Sequence, residues 1–141
     1  RQVLLASYGV DVGTGMLDGS GLAARNRLSP ATLVALLRVI AGPEHPELHT
    51  VLAGLPVAAW SGTLADRFVR GSSAAGAGTV RAKTGTLTSV SALAGVVHDR
   101  GGRLLAFALI ADRVPAGEQA TLAAESALDA VATRLAGCGC G

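Results

Sequence analysis

The sequence predicts an α+β fold in which an antiparallel sheet is flanked by helices. Strand-like runs rich in Val, Leu and Ala follow one another in the second half of the chain, between segments with helical periodicity. Hydrophobic residues make up 50% of the 141 residues, which is enough for one core, and no linker divides the chain. Consecutive strands beside separate helices are typical of α+β layered architectures.

The first half of the chain predicts helices joined by loops. Residues 1–7 resemble the interior of a helix, because no initiator Met and no capping residue precedes them, which suggests that the chain continues a longer one. Residues 10–21 form a loop punctuated by Gly. Ser29 then caps a helix with Pro30 at its first position, and this helix ends at Gly42.

Shorter elements are expected in the middle of the chain. Residues 46–52 suit a short helix, residues 55–62 are irregular, residues 63–70 suit a helical turn, and residues 71–78 form a loop of small side chains. Within the helical turn, Thr63 and Asp66 are candidate capping residues.

The sheet is predicted from three runs of strand-forming residues. They cover residues 79–87, 89–98 and 103–111, and a turn at residues 99–102 joins the second strand to the third as a hairpin. Apolar residues occur on both sides of the pleat, which indicates a sheet covered on both faces.

The last predicted element is a helix over residues 117–135 with an apolar stripe at helical spacing. The stripe contains Leu122, Leu128, Val131 and Leu135. Residues 1–136 therefore read as one folded unit, and residues 137–141 as a flexible tail of Gly and Cys. The sequence leaves open the role of Cys138 and Cys140.

Composition excludes several classes of function. The net charge of +2 is spread along the chain and aromatic residues make up only 3%, so no nucleic-acid partner is expected. The most apolar run, residues 104–111, is far shorter than the roughly 20 residues that cross a bilayer. His45 and His49 lie at helical spacing, and such a lone pair is usually a surface feature, so no metal site is predicted; no cofactor is expected either.

The candidate site residues are Lys83, Thr84, Gly85 and Thr86. Lys83 is the only lysine in the chain. Because side chains alternate in a strand, Thr84 and Thr86 should share one face, with Lys83 on the other face or drawn round by the twist of the strand. Gly85 removes a side chain where a ligand or another backbone can approach. An ammonium, two hydroxyls and an open strand edge suit the binding of a peptide carboxylate; the alternative is an ordinary strand end.

Lys-Thr-Gly is one of the motifs of serine penicillin-recognising enzymes, whose nucleophile lies in Ser-x-x-Lys. With Lys83 as the only lysine, position 80 would have to be that Ser, but it is Val80. Asn26 is the only Asn, and Ala24 stands where a Ser-x-Asn element needs Ser. The chain therefore lacks a complete acyl-enzyme site of its own.

Ordered stretches around this motif resemble the class C, low-molecular-mass penicillin-binding D-alanyl-D-alanine carboxypeptidases of actinobacterial type. The first stretch is Leu17-Asp18-Gly19-Ser20-Gly21-Leu22, followed by Asn26, Leu28, Ser29 and Pro30. The second is Leu55 to Ala58 with Ser61 to Leu64 and Arg67-Phe68, and the third is Val80 to Leu87 with Ser91 to Gly95. Their order and spacing resemble the last third of the family. The resemblance implies the C-terminal portion of a transpeptidase-like fold.

The resemblance also implies roles for residues. Lys83 would place positive charge beside the nucleophile, the hydroxyls of Thr84 and Thr86 would hold a substrate carboxylate, and the Thr86 N–H would contribute to an oxyanion hole. Gly85 belongs to the same motif, and Ser20 and Leu22 would border the site. The alternative for that loop is a Gly-rich turn in which Asp18 caps backbone groups.

The family implies a β-lactam-sensitive serine D-alanyl-D-alanine carboxypeptidase, exported beyond the cytoplasmic membrane. Its partners would be peptidoglycan stem peptides ending in D-Ala-D-Ala, β-lactams, and the N-terminal portion that supplies the serine. The rival interpretation is a non-catalytic module of the same fold that binds peptide termini or another chain. A β-lactamase fits the flanking stretches poorly. The sequence does not decide between carboxypeptidase and endopeptidase action, or the oligomeric state.

Overall fold

The structure, a computed structural model, describes residues 2–138. Its helices are α1 (Gln2–Tyr8), α2 (Pro30–Ala41), α3 (His49–Ala53) and α4 (Glu118–Ala136). Its strands are β1 (Val80–Leu87), β2 (Val90–His98) and β3 (Leu104–Ala111). Short 3-10 segments occupy Pro46–Leu48, Gly62–Leu64 and Gly71–Gly76. The helices at both ends of the chain, the central sheet and the loop before α2 agree with the predictions.

Helix α2 begins and ends where its capping residues require. The Ser29 hydroxyl accepts a hydrogen bond of 3.1 Å from the backbone N–H of Thr32, which satisfies a donor that the first helical turn leaves unpaired. At the other end, the Gly42 N–H donates to the carbonyl oxygen of Val39 at 3.2 Å. The predicted cap, start and end of this helix are confirmed.

The strands form one antiparallel sheet in the order β1-β2-β3. Val80 lies opposite Val97 at one end of the first ladder. The predicted hairpin joins β2 to β3: the Asp99 N–H donates to the Arg103 oxygen at 2.9 Å, and Gly102 adopts a φ of 79° that glycine permits without strain.

Helix α4 and one face of the sheet enclose the main core. Buried side chains of the sheet pack there against buried side chains of α4. The sheet contributes Val80, Ala82, Leu93, Val97 and Phe107, and the helix contributes Leu128, Ala132 and Ala136. The predicted stripe is wrong at Leu122 and Val131, which are exposed. Two of the three α4 residues in the core are instead alanines, Ala132 and Ala136.

The segment Gly71–Gly76 approaches α4 closely. A Cβ on Gly76 would come within 2.6 Å of the Thr133 hydroxyl oxygen, so only glycine fits there. The Thr133 hydroxyl in turn donates to the Ser73 oxygen at 3.1 Å. The segment predicted as a loop is therefore a 3-10 helix, stabilised by contacts with a residue distant in sequence.

The prediction of a sheet covered on both faces holds for β2 and β3, against which both α4 and α2 pack, but not for the second half of β1. Leu93 and Val97 are buried beneath α4, and Val96, on the opposite face, is buried as well; α2 packs against β2 and β3. In β1, by contrast, the stretch from Gly85 to Leu87 is exposed. The half of β1 that carries the motif is thus the more exposed half of this strand.

None of the helices described is long and apolar enough to cross a lipid bilayer. The predicted tail, residues 137–141, falls outside the described residues from position 139 onwards, so its flexibility stays a prediction. Cys138 is disulfide-bonded, so a free thiol at that position is excluded.

Candidate functional site

The motif residues occupy the second half of β1 and alternate as a strand requires. Thr84 lies opposite Leu93 and Thr86 opposite Ser91, so both point to the face that α4 covers. Lys83 lies opposite Ala94 and points to the other face. The predicted division of the motif between the two faces is confirmed.

The outer edge of β1 is paired along its first half only. The Ala58 N–H donates to the Val80 oxygen and the Ala82 N–H donates to the Pro56 oxygen, each at 2.9 Å. Backbone groups alternate in direction along a strand, so those of Thr84 and Thr86 face the same outer edge. Beyond Ala82 this edge can accept a further extended backbone, as peptide-binding sheet edges do.

The ammonium group of Lys83 bends round to this open edge. Its Nζ atom donates to the backbone oxygen of Thr84 at 2.9 Å and lies 3.5 Å from the Thr84 hydroxyl oxygen. A compact point charge is therefore held beside a hydroxyl on an exposed strand. Such a combination attracts an anion, because hydrogen bonds to a charged acceptor are the stronger ones.

Both threonine hydroxyls already have partners within the chain. Thr84 donates to the hydroxyl oxygen of Thr63 at 2.9 Å, and Thr86 donates to the Glu125 carboxylate at 3.2 Å. Sequence reasoning missed both partners, which lie 21 and 39 positions away. The expected capping role of Thr63 is wrong: the 3-10 segment Gly62–Leu64 has no side-chain cap, and Thr63 lies inside it.

Gly85 leaves the strand surface open. A Cβ at this position would meet only the Ala92 side chain, at an ordinary contact distance of 3.6 Å. The described residues therefore do not themselves require glycine at this position. The approach of a ligand or another backbone to Gly85 stays a prediction.

Ser20 and Leu22 lie in a loop organised by Asp18. The Asp18 carboxylate accepts from the Asn26 side-chain amide at 2.7 Å, from the Ser20 hydroxyl at 2.9 Å and from the Gly21 N–H at 3.0 Å. The Asn26 bond, with further help from Ser20 and the backbone, lowers the pKa of Asp18 below its usual value. The capped-turn alternative thus describes the observed geometry.

The hydrogen bonds of Ser20 and Leu22 all stay inside this loop. The Leu22 N–H donates to the Ser20 hydroxyl oxygen at 3.3 Å, and the Leu22 side chain is 72% exposed. Within residues 2–138, no hydrogen bond joins this loop to β1. Their place at the border of the site therefore stays a prediction.

A buried ion pair holds the turn of α4 that lies beside the motif strand. Arg67 Nε donates to Asp129 Oδ2 at 3.1 Å, and the Arg67 guanidinium also donates to the backbone oxygen of Glu125 at 3.1 Å. Burial raises the pKa of Asp129, and the hydrogen bond and charge of Arg67 act against this shift. This pair fixes the turn of α4 that presents Glu125 to Thr86.

The described part of the chain contains no group of three or more His, Cys, Asp or Glu that could hold a metal ion. His45 instead contacts Glu47, with 3.1 Å between Nδ1 and Oε1, and packs edge-to-face on Tyr8. His49 Nε2 lies 2.9 Å from the Gly42 oxygen.

Comparison with known proteins places this geometry in a family. The model of the D-Ala-D-Ala carboxypeptidase 3 (S13) family matches residues 1–135. A curated carboxypeptidase of Mycobacterium tuberculosis is 45% identical over 130 residues, which are 91% of this chain and 27% of the relative. Carboxypeptidase DacB of Mycolicibacterium smegmatis is 44% identical over 140 residues, 97% of this chain and 29% of the relative.

A solved structure has the same fold. Penicillin binding protein 4 of Haemophilus influenzae, crystallised with a β-lactam, superposes with a TM-score of 0.73 and 29% identity over 90% of this chain and 30% of that one. The predicted penicillin-binding fold is thereby confirmed. The chain spans less than a third of the length of these relatives.

Proposed function

The chain belongs to the D-Ala-D-Ala carboxypeptidase 3 (S13) family, and on this premise we propose that it is the C-terminal portion of a serine D-alanyl-D-alanine carboxypeptidase. In this proposal the chain contributes the Lys-Thr-Gly strand of the active site. The nucleophilic serine belongs to an N-terminal portion, because Lys83 is the only lysine here and Val80 precedes it by three positions.

The observation that carries the proposal is the open second half of β1. There the Lys83 ammonium lies 2.9 Å from the Thr84 oxygen, at an edge where no residue from 56–58 pairs with the strand. A peptide ending in D-Ala-D-Ala is extended and carries a terminal carboxylate. The open edge suits its backbone, and Lys83 with the hydroxyl of Thr84 suits its charge.

The reaction proceeds through a covalent ester. The serine oxygen attacks the carbonyl carbon between the two D-alanines, the C–N bond breaks, and the terminal D-alanine leaves after taking up a proton. Water then attacks the ester carbon and releases the serine. Covalent catalysis of this kind replaces one difficult hydrolysis by two easier steps.

In this scheme the residues of the chain bind the substrate and polarise its carbonyl group. The N–H of Thr86 faces the open edge and donates to the carbonyl oxygen as it becomes an oxyanion. Removing such a donor typically costs about 3 kcal/mol of transition-state stabilisation. Lys83 supplies positive charge beside the nucleophile, and Thr84 and Thr86 hold the terminal carboxylate.

We also propose the partners and the location. The names of the curated relatives and the β-lactam bound to the Haemophilus protein support peptidoglycan stem peptides as substrates and β-lactams as acylating inhibitors. Such substrates lie beyond the cytoplasmic membrane, so the protein would be exported. Fractionation of the producing cell tests this: recovery of the protein only from the cytosol would contradict it.

The experiment is acylation of the full-length protein by a fluorescent penicillin, followed on a denaturing gel. We expect labelling of the wild type and a loss of about a hundredfold or more in Lys83→Met. Arg81→Met is the matched control, because Arg81 is an exposed cation on the same strand and should not affect labelling. A wild-type protein that binds D-Ala-D-Ala peptides without ever labelling would favour the non-catalytic module.

A further inference from the structure

The hydroxyl of Thr86 already donates its proton to a neighbouring carboxylate. The distance from Thr86 Oγ1 to Glu125 Oε1 is 3.2 Å. A hydroxyl has a single proton, so Thr86 cannot donate to a ligand carboxylate while it donates to Glu125. This conflict matters only if Thr86 receives the ligand, so the inference rests on the proposed function.

The charge of Glu125 adds to the conflict. Among the described residues Glu125 forms no ion pair, because the guanidinium of Arg67 is taken by Asp129 and by the backbone oxygen of Glu125. A ligand oxygen about 2.8 Å from the Thr86 hydroxyl would lie within about 6 Å of the Glu125 carboxylate. Two negative charges at that distance repel each other appreciably near a protein surface.

A second hydrogen-bond donor for Glu125 lies nearby. Ser91 lies directly opposite Thr86 in the β1–β2 ladder, on the face that α4 covers. Ser91 is 1% exposed, and its hydroxyl oxygen has no hydrogen-bond partner among the described residues. A buried hydroxyl without a partner is costly, so Ser91 is a donor in need of an acceptor.

We propose that Glu125 is a positioning residue that controls the Thr86 hydroxyl. In the free protein Glu125 accepts the Thr86 proton; when a ligand carboxylate arrives, Glu125 turns to the Ser91 hydroxyl and Thr86 donates to the ligand. Binding of a carboxylate therefore exchanges one hydrogen bond of Glu125 for another. A ligand without a terminal negative charge neither needs nor drives this exchange.

The test compares two peptides on the full-length protein: an N-acyl peptide ending in D-Ala-D-Ala, and the same peptide with a C-terminal amide. Gln is neutral and holds the Thr86 proton less strongly than Glu. We expect Glu125→Gln to lower KM for the free carboxylate by roughly three- to tenfold, with kcat within about twofold and the amide peptide unchanged. Glu118→Gln, an exposed change on the same helix, is the control and should alter nothing.

Ser91 is tested by a double-mutant cycle. We expect Ser91→Ala to raise KM for the free carboxylate by about threefold in the wild-type background, because Glu125 then has no second donor. In the Glu125→Gln background the same change should have no effect. An equal effect in both backgrounds would exclude Ser91 as the alternative partner.

Other outcomes separate this inference from the proposed function. If Glu125→Gln changes KM for the carboxylate and the amide peptide alike, or for neither, Glu125 does not control the Thr86 hydroxyl. If the wild-type protein neither hydrolyses the free carboxylate peptide nor labels with penicillin, the proposed function is wrong and the role of Glu125 falls with it.

Discussion

The hydroxyl of Thr84 donates to the hydroxyl oxygen of Thr63 across 2.9 Å and so joins the motif strand to the 3-10 segment beside it. This bond fixes the rotamer of Thr84, which also lies 3.5 Å from the Lys83 ammonium. Thr63 therefore helps to fix the position of the Thr84 side chain at the open edge of β1.

We expect Thr63→Val to weaken ligand binding by about fivefold, the equivalent of one neutral hydrogen bond of about 1 kcal/mol. The substitution keeps the branched shape and removes only the hydroxyl. Thr63→Ser, which keeps the hydroxyl, serves as the control. The measurement is the concentration dependence of acylation of the full-length protein by a fluorescent penicillin. Equal losses in both variants would mean that packing, rather than the hydrogen bond, matters.

Two glycines of the β1–β2 ladder should differ strongly in the loss of stability that the same substitution causes. A Cβ on Gly95 would lie 2.0 Å from the Arg81 oxygen and 2.6 Å from the Ala82 Cα, so the ladder must move apart. We expect Gly95→Ala to lower the free energy of unfolding by about 3 kcal/mol or to prevent folding. Urea unfolding of the purified protein measures this.

Gly85→Ala is the comparison, since its Cβ would meet only Ala92 at 3.6 Å. We expect the free energy of unfolding to stay within about 0.5 kcal/mol of the wild type, while penicillin labelling falls because the room above the strand is lost. A strongly destabilised Gly85→Ala would contradict this reading of the open surface.

The Arg67–Asp129 pair predicts a stability change with a pH signature. The side chains are only 12% and 7% exposed, so Arg67→Met leaves a buried carboxylate without its partner and should lower the free energy of unfolding by about 3 kcal/mol at neutral pH. Replacing both residues, as in Arg67→Met with Asp129→Leu, should restore most of that loss.

The sign of the pH dependence follows from burial. Burial raises the pKa of Asp129 above its ordinary 3.8, and Arg67 opposes this shift. Without Arg67 the pKa rises further, so the folded protein binds the proton more tightly than the unfolded one. Arg67→Met should therefore be most stable in acid and lose stability as the pH rises from 3.8 through the raised pKa. Thermal unfolding across pH 3 to 7 (about the acid range of a carboxyl group) tests this; a flat profile would contradict it.

Asp99 should behave in the opposite sense. The Arg103 N–H, followed by the Arg103 side chain, lowers the pKa of Asp99 below 3.8. Its stabilising contribution is thus present above 3.8 and is lost as the pH falls through the lowered pKa. We expect Asp99→Asn to be less stable at neutral pH, and its melting temperature to fall less on acidification than that of the wild type. Asp112→Asn, at an exposed carboxylate, is the control and should show the same fall in melting temperature as the wild type.

Local rules were sufficient for the strands, the hairpin and the division of the motif between two faces. The alternation of side chains places Lys83 on one face of β1 and Thr84 and Thr86 on the other, as a period of two requires. The cap at Ser29 likewise depends on neighbours three positions away. Such features could be predicted because the interacting groups are close in sequence.

Features set by distant contacts could not be predicted. Leu122 and Val131 were expected to be buried, but the close approach of Gly76 to Thr133 favours small residues on the buried face of α4. The hydrogen-bond partners of Thr84 and Thr86 could not be predicted either, because no local pattern connects Thr63 or Glu125 with β1. The sequence located the motif, and the packing of α4 determined what surrounds it.

The half-paired edge of β1 has a consequence for self-association. A flat, unpaired edge strand is a template on which a second copy of the same sheet can add strands. Pro56 to Ala58 cover the first part of this edge, which leaves only a short open segment. Its Lys83 carries a charge that repels an identical edge in the antiparallel approach, and Gly85 disfavours a regular extended ladder. The features that suit a peptide terminus thus also restrain the protein from edge-to-edge aggregation.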